Sequence, residues 1–204
     1  MCGAFEQHNK AMHRWAVILD DWPADADRRI NIRPTMIAGT IDAEGYHERS
    51  WSLIPSWAKE ATLKFSTFNA RAETITEKAT YRQPWRKSQR CIVPASAYFE
   101  WPTIDGKKQC RRLTQEGGSP WLMAGLWEQW MNGDDSRNSF AVITTSSVQQ
   151  IEWVHNRMPL IINPDDLDCW LTGSPEDAEA LLAKKSTTKI DVVPGDPKSP
   201  PDTN

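Results

Sequence analysis

The stretch from Arg90 to Trp101, RCIVPASAYFEW, decides how this chain folds. Its β-branched Ile92 and Val93 and its aromatic Tyr98, Phe99 and Trp101 suit a pleated, half-buried surface. Three stretches of the same kind follow: KKQCRRLTQ (107–115), SPWLMAGLWEQW (119–130) and SFAVITTSS (139–147). Between them stand TIDGK, EGG and MNGDDSRN, which supply the Gly, Asn and Asp that tight turns need. Successive strands joined by short polar turns predict an antiparallel sheet.

Outward from this block, TMIAGTI (35–41) and YHERSWSLI (46–54) read as a hairpin about the acidic turn DAEG. Residues 9–20, NKAMHRWAVILD, place Met12, Trp15, Ala16 and Leu19 on one helical face, with Asn9 as a candidate N-cap. NARAETITEKATYRQPW (69–85) is helix-like up to Pro84, which should stop it. MPLIIN (158–163) reads as a short strand and TKIDVV (188–193) as the last one. Between those two, NPDDLDCWL (163–171) and SPEDAEALLAKK (174–185) read as capped helices, each with proline just inside its start and acids in the first turn. Strands outnumber helices and do not alternate with them. The expectation is therefore a single α+β domain over residues 1–193, with a mainly antiparallel sheet. The tail, PGDPKSPPDTN (194–204), is too polar and proline-rich to fold alone and is expected to be disordered.

The 204 residues are 39% apolar and 25% charged, as for a soluble globular chain, but eleven are tryptophan against three tyrosines and five phenylalanines. Such an excess of flat rings suggests an aromatic core or stacking surfaces. The net charge of −3 argues against a generally basic nucleic-acid binder. Its distribution differs: residues 1–112 carry 18 Lys and Arg against 13 Asp and Glu, a net of +5, and the rest carries −8. A basic half with interleaved tryptophans is compatible with a phosphate-binding groove, and equally with ordinary solvated charge. Cys2, Cys91, Cys110 and Cys169 lack a CxxC pairing, so reduced thiols are expected, with no metal site and no cofactor. No signal peptide or membrane span is visible, and a cytoplasmic protein is expected.

Five stretches pair reactive groups with turn residues. MCGAF puts Cys2 directly behind the initiator, where methionine removal would give a free α-amine and a thiol on adjacent carbons. NARAE, YFEW, HNRMP and WSLIPSWAKE hold Asn69, Glu100, His155 and Trp57. Taken singly, an Asn before a helix is usually a cap, a strand Glu usually faces solvent, and a loop His is usually structural.

In order, Met-Cys-Gly, INIRPT, WSLIPSWA, NARAE, RCIVPASAYFEW, MAGLWE and HNRMP resemble the SRAP family, the SOS-response-associated peptidase-like proteins that include abasic-site crosslinking sensors. The resemblance runs from Cys2 to about Leu160. It implies a barrel-like β core with peripheral helices. It also implies a nucleophile at Cys2, an active-site asparagine at Asn69, an acid/base carboxylate at Glu100 and an active-site histidine at His155. Gly3, Asn31, Pro34, Trp57, Arg71 and Arg157 match its DNA-facing positions. The chain departs from the family at Ala4, where arginine is usual.

The implied partner is single-stranded DNA carrying an abasic site, met by a monomer. The implied chemistry is a Schiff base from the Cys2 amine, closed by its thiol to a thiazolidine. Two alternatives stand beside it. One is a thiol peptidase with Cys2 attacking a carbonyl and His155 as base, self-removal of Met1 included. The other is a DNA-binding relic with a dead site.

Overall fold

A computed structural model describes residues 2–8, 12, 22–23, 29–184 and 186–199. The helix expected over 9–20 lies outside the described residues, apart from Met12, which is buried. In chain order the strands are β1 (Ala4–Gln7), β2 (Arg29–Ile32), β3 (Ile37–Asp42), β4 (Gly45–Trp51), β5 (Asn69–Arg71), β6 (Arg90–Ala95) and β7 (Ala97–Glu100). They continue as β8 (Thr103–Ile104), β9 (Lys107–Lys108), β10 (Arg111–Gln115), β11 (Trp121–Asn132), β12 (Asp135–Ser146), β13 (Arg157–Pro159) and β14 (Ile190–Pro194).

RCIVPASAYFEW is thus two strands, broken at Ser96. The Ser96 N–H donates to Glu6 O at 2.9 Å and its hydroxyl to the same oxygen at 3.1 Å, which turns the chain from one sheet into another. β6 belongs to a ring, β11–β6–β3–β4–β12, closed by the β11–β12 pairing. β7 belongs to a five-stranded antiparallel sheet, β14–β10–β7–β1–β2. The mainly antiparallel, barrel-like core is as expected, in the form of a ring of strands and not a strict barrel. Its two shortest seams are the antiparallel β3–β6 pairing, at Ile41 and Ile92 alone, and the parallel β4–β12 pairing, two residue pairs long.

Strand alternation divides the core. Phe140 and Val142 of β12 join a cluster with Phe5, Trp51, Tyr98 and Trp121, while Ala141 and Ile143 face a second cluster built on Trp85 and Trp170. Trp51 stacks on Phe140 with centroids 6.4 Å apart and meets Phe5 edge-on at 4.9 Å. The tryptophan excess therefore serves mainly the interior, with Trp57 and Trp153 left exposed.

The helix expected over 69–85 is not formed. Asn69–Arg71 pairs in parallel with Val142–Thr144 of β12, burying Ala70, and a single 3-10 turn follows. Helix α1 begins at Arg82 and ends at Arg86. Pro84 does not stop it, because at the third position of a helix the amide has no intrahelical partner to lose. α2 (Leu167–Thr172) and α3 (Pro175–Leu182) stand where the two capped helices were expected. α3 carries a full capping box, Ser174 with Asp177. No helix among the described residues is long and apolar enough to cross a membrane.

Candidate functional site

The site begins with β1, which lies beside β7 with Ala4 opposite Phe99 and Phe5 opposite Tyr98. Gln7 pins this strand to the ring. Its amide donates to Gly39 O at 2.7 Å and to Pro94 O at 2.9 Å, and its oxygen accepts from Gly39 N–H at 2.9 Å. The chain therefore arrives at Cys2 along a fixed track. Cys2 is fully buried, and its thiol points at Ala4 O, 3.7 Å away. Burial, and then the charge of Glu100, push the Cys2 thiol pKa far above that of an ordinary cysteine. Ala4, the departure from the family pattern, is buried too.

Asn69 reaches the same point from β5. Its Nδ2 donates to Cys2 O at 2.9 Å, while Oδ1 is buried without a partner among the described residues. Tyr81 fixes the backbone there, donating from its hydroxyl to Asn69 O at 3.1 Å. Glu100 closes the third side. It is 4% exposed, contrary to the usual solvent-facing strand glutamate, and burial pushes its carboxyl up to about 7, with Lys108 among the charges that offset this.

β12 brings in the fourth group. Thr144 pairs with Arg71 on one side and Ser146 with Arg157 on the other. His155, Arg71 and Arg157 line one cleft of about 600 Å³, together with Ser146, Ser147, Glu152 and Asn156. His155 Nδ1 accepts from Arg157 N–H at 2.9 Å, so the neutral ring carries its proton on Nε2. Burial holds this imidazole below its ordinary pKa, with Lys108 and Arg157 adding to the effect.

Of the remaining residues, half-buried Gly3 lies between Cys2 and β1. Asn31 adopts a left-handed φ of 51° and its Oδ1 accepts from Arg33 Nε at 2.7 Å. Arg33 lies over the Trp101 ring at 4.9 Å, which sets the loop with Asn31 and Pro34 against the residue that follows Glu100. Thr35 in that loop has φ 78°, a strained conformation for a β-branched residue. Trp57 stands apart from the His155 cleft. Its indole N–H donates to Ala79 O at 3.1 Å, and it lines a separate cleft of about 620 Å³ with Arg82, Gln83 and Lys87.

Several residues of the site carried no signal in the sequence. Glu73, inside NARAE, binds Arg157 with both oxygens, at 2.6 and 2.9 Å. Lys108, on the β8–β9 hairpin, adds positive charge near both Glu100 and His155. Nothing in the sequence singles out Tyr81 or Tyr98, and only their surroundings distinguish them. Among the described residues no group of three His, Cys, Asp or Glu is placed to hold a metal ion.

The model of one protein family, SOS response associated peptidase (SRAP), matches residues 1–197. Abasic site processing protein YoqW of Bacillus subtilis (strain 168) is 33% identical over 157 residues, covering 74% of this chain and 70% of that protein. Abasic site processing protein YoaM of the same organism is 34% identical, with the same coverage of both chains. Abasic site processing protein HMCES of Xenopus tropicalis is 34% identical across 57% of this chain and 41% of that one. A crystal structure of a Bordetella bronchiseptica protein shares the fold, with a TM-score of 0.83 over 94% of this chain and 99% of that one at 24% identity.

Proposed function

The chain belongs to the SOS response associated peptidase (SRAP) family, and on that premise we propose that it captures abasic sites in single-stranded DNA covalently through Cys2. The observation that carries this reading is the corner where Asn69 holds the Cys2 backbone beside a buried Glu100 with a pKa of about 7. Removal of Met1 supplies the reagent, an α-amine next to a thiol. An α-amine titrates near ~7.7–8.0, so a useful neutral fraction exists without further tuning.

An abasic sugar is mostly a closed hemiacetal. Glu100, its carboxyl pushed up to about 7, gives a proton to the ring oxygen as the ring C–O bond breaks, and the anomeric hydroxyl gives up its own proton to water to leave the aldehyde. The Cys2 amine attacks that carbon and water leaves, giving the Schiff base. Asn69 Oδ1 accepts from the amine and aims it without competing for protons. His155, neutral and with its proton on Nε2, serves the proton transfers from the cleft side. The thiol then closes a five-membered ring, an intramolecular step in which orientation supplies much of the rate. Arg71 and Arg157 meet phosphates, the Asn31–Pro34 loop lies against the lesion, and Trp57 offers a face for a flanking base.

The peptidase alternative asks for a Cys2 thiolate, which low-pKa surroundings would provide. Burial and Glu100 act in the opposite sense here. The deciding experiment mixes the protein, shown by intact mass to begin at Cys2, with an oligonucleotide carrying one abasic site. A heat-stable adduct lost in Cys2→Ala is expected, and Cys2→Ser should leave at most a labile Schiff base. Peptide cleavage without any DNA adduct would reverse the assignment.

A further inference from the structure

Tyr98 presents a buried phenol that the fold leaves unanswered. The residue is 1% exposed and its ring stands edge-on to Trp121, with centroids 5.5 Å apart. Its hydroxyl has no hydrogen-bond partner among the described residues, whereas that of Tyr81 is bound to Asn69 O. A buried hydroxyl without a partner is unfavourable, and phenylalanine would fill the same space without that cost. Phe5 and Phe140, in the same cluster, show that this core accepts the plain ring.

The backbone explains what the hydroxyl is near. Residues two apart on a strand share a face, so Tyr98 and Glu100 lie on one side of β7. β1 runs antiparallel to it with Ala4 opposite Phe99, so the chain that leads to Cys2 approaches this end of β7. Cys2 and Tyr98 belong to the same buried cluster. After burial, the charges of Cys2 and Glu100 each push the phenol pKa further up, so it lies within the field of both and keeps its proton across the working range. A group of that kind is a hydrogen-bond donor and not a base.

We propose that the Tyr98 hydroxyl is a positioning donor for the Cys2 sulfur during thiazolidine closure. The proposal rests on the crosslinking reading above and assigns a residue to its second step. In that step the thiol S–H adds across the C=N bond. Sγ bonds to the former aldehyde carbon, the π pair stays on nitrogen, and the thiol proton ends there. Nothing is oxidised and no co-reactant is consumed. Charge builds on sulfur as its proton leaves, and a neutral O–H that donates to that atom in this step stabilises it. The thiol hydrogen points at Ala4 O, so the sulfur lone pairs remain able to accept.

The test is Tyr98→Phe, prepared with Cys2 as first residue and mixed with an abasic oligonucleotide. Borohydride quenching counts the open Schiff base, and heating without it counts the closed ring. Expected are an accumulating Schiff base and about ten-fold slower closure, the loss of one hydrogen bond to a charged group. Single-strand affinity should be unchanged and Tm equal or higher, because a buried polar atom without a partner has been removed. Closure at the wild-type rate would overturn the proposal. So would loss of closure in step with Tm and affinity, the pattern of a packing residue. A wild-type protein that forms neither adduct would overturn the crosslinking reading itself, and the role of Tyr98 with it.

Discussion

Cys2 and Cys91 are the same side chain in the same core cluster, both fully buried. Burial pushes the Cys91 thiol up to about 12 and the Cys2 thiol higher still. By thiol acidity alone, both are inert. What separates them is what surrounds them. Cys91 is the second residue of β6, packed over Gly125 so closely that an added Cβ there would lie 2.8 Å from its sulfur. The charges nearest it, Arg49 and Asp42, are paired with each other. Cys2 instead has its carbonyl held by Asn69, a buried Glu100 whose carboxyl is pushed up to about 7, and no chain beyond it once Met1 is gone. On the proposed reading, reactivity at Cys2 comes from the amine that processing would create, and the thiol is the second reagent.

The largest effect that would break this comparison is an exchange of roles. Cys2→Ala should abolish the heat-stable adduct, whereas Cys91→Ala should crosslink normally and cost about 1 kcal/mol of stability. Gel analysis of both variants with an abasic oligonucleotide decides it. An adduct that survives in Cys2→Ala and vanishes in Cys91→Ala would overturn the assignment.

Next in size is Glu100→Gln. Loss of a general acid slows a reaction by ~10²–10⁴-fold, so adduct formation should fall by about 10² or more while single-strand binding persists. Equal loss of both would point to a structural role. The wild-type rate of ring opening should decline as pH rises through about 7, where Glu100 loses its proton, and the variant should lack that limb. Stability carries the same sign. The folded-state pKa is raised, so Glu100 contributes stability fully present below its unfolded pKa and lost as pH climbs from the ordinary carboxylate range to about 7. Denaturant titrations at pH 5 and pH 8 should show a smaller difference in Glu100→Gln than in wild type.

Much of this corner was legible in the sequence, and the reasons for the gaps are physical. The strand blocks, the DAEG hairpin and the two capped C-terminal helices follow from local pattern and turn chemistry, which act over a few residues. NARAETITEKATYRQPW does not start the helix its pattern suggests, because pairing with β12, more than 70 residues away, outweighs helical propensity in its first three residues. The break at Ser96 depends on Glu6, equally remote, so periodicity gives no sign of it. At the site, residues with distinctive chemistry could be named from ordered motifs. Glu73, Tyr81, Tyr98 and Lys108 could not, because their roles lie in what they touch.

Glu73 gives the smallest effect and a separate way to sharpen the contrast between buried chemistry and open groove. Its carboxylate occupies the Arg157 fork, which on the proposed reading would meet a DNA phosphate, and that guanidinium in turn holds the Glu73 pKa down. The Glu73 side of the pair is half open to water, so the pair adds about 1 kcal/mol to stability. Arg157 is also bound to Thr144 O at 2.6 Å, which keeps the guanidinium in place when Glu73 is neutralised. Glu73→Gln should therefore raise single-strand affinity about two- to five-fold at low salt, with the gain shrinking as salt screens the groove. The rate of adduct formation at saturating DNA should not change, because the Cys2 corner is untouched. Fluorescence anisotropy across a salt series reads the first and single-turnover gels the second. Weaker binding in Glu73→Gln would mean that the carboxylate orients Arg157 for phosphate instead of competing with it.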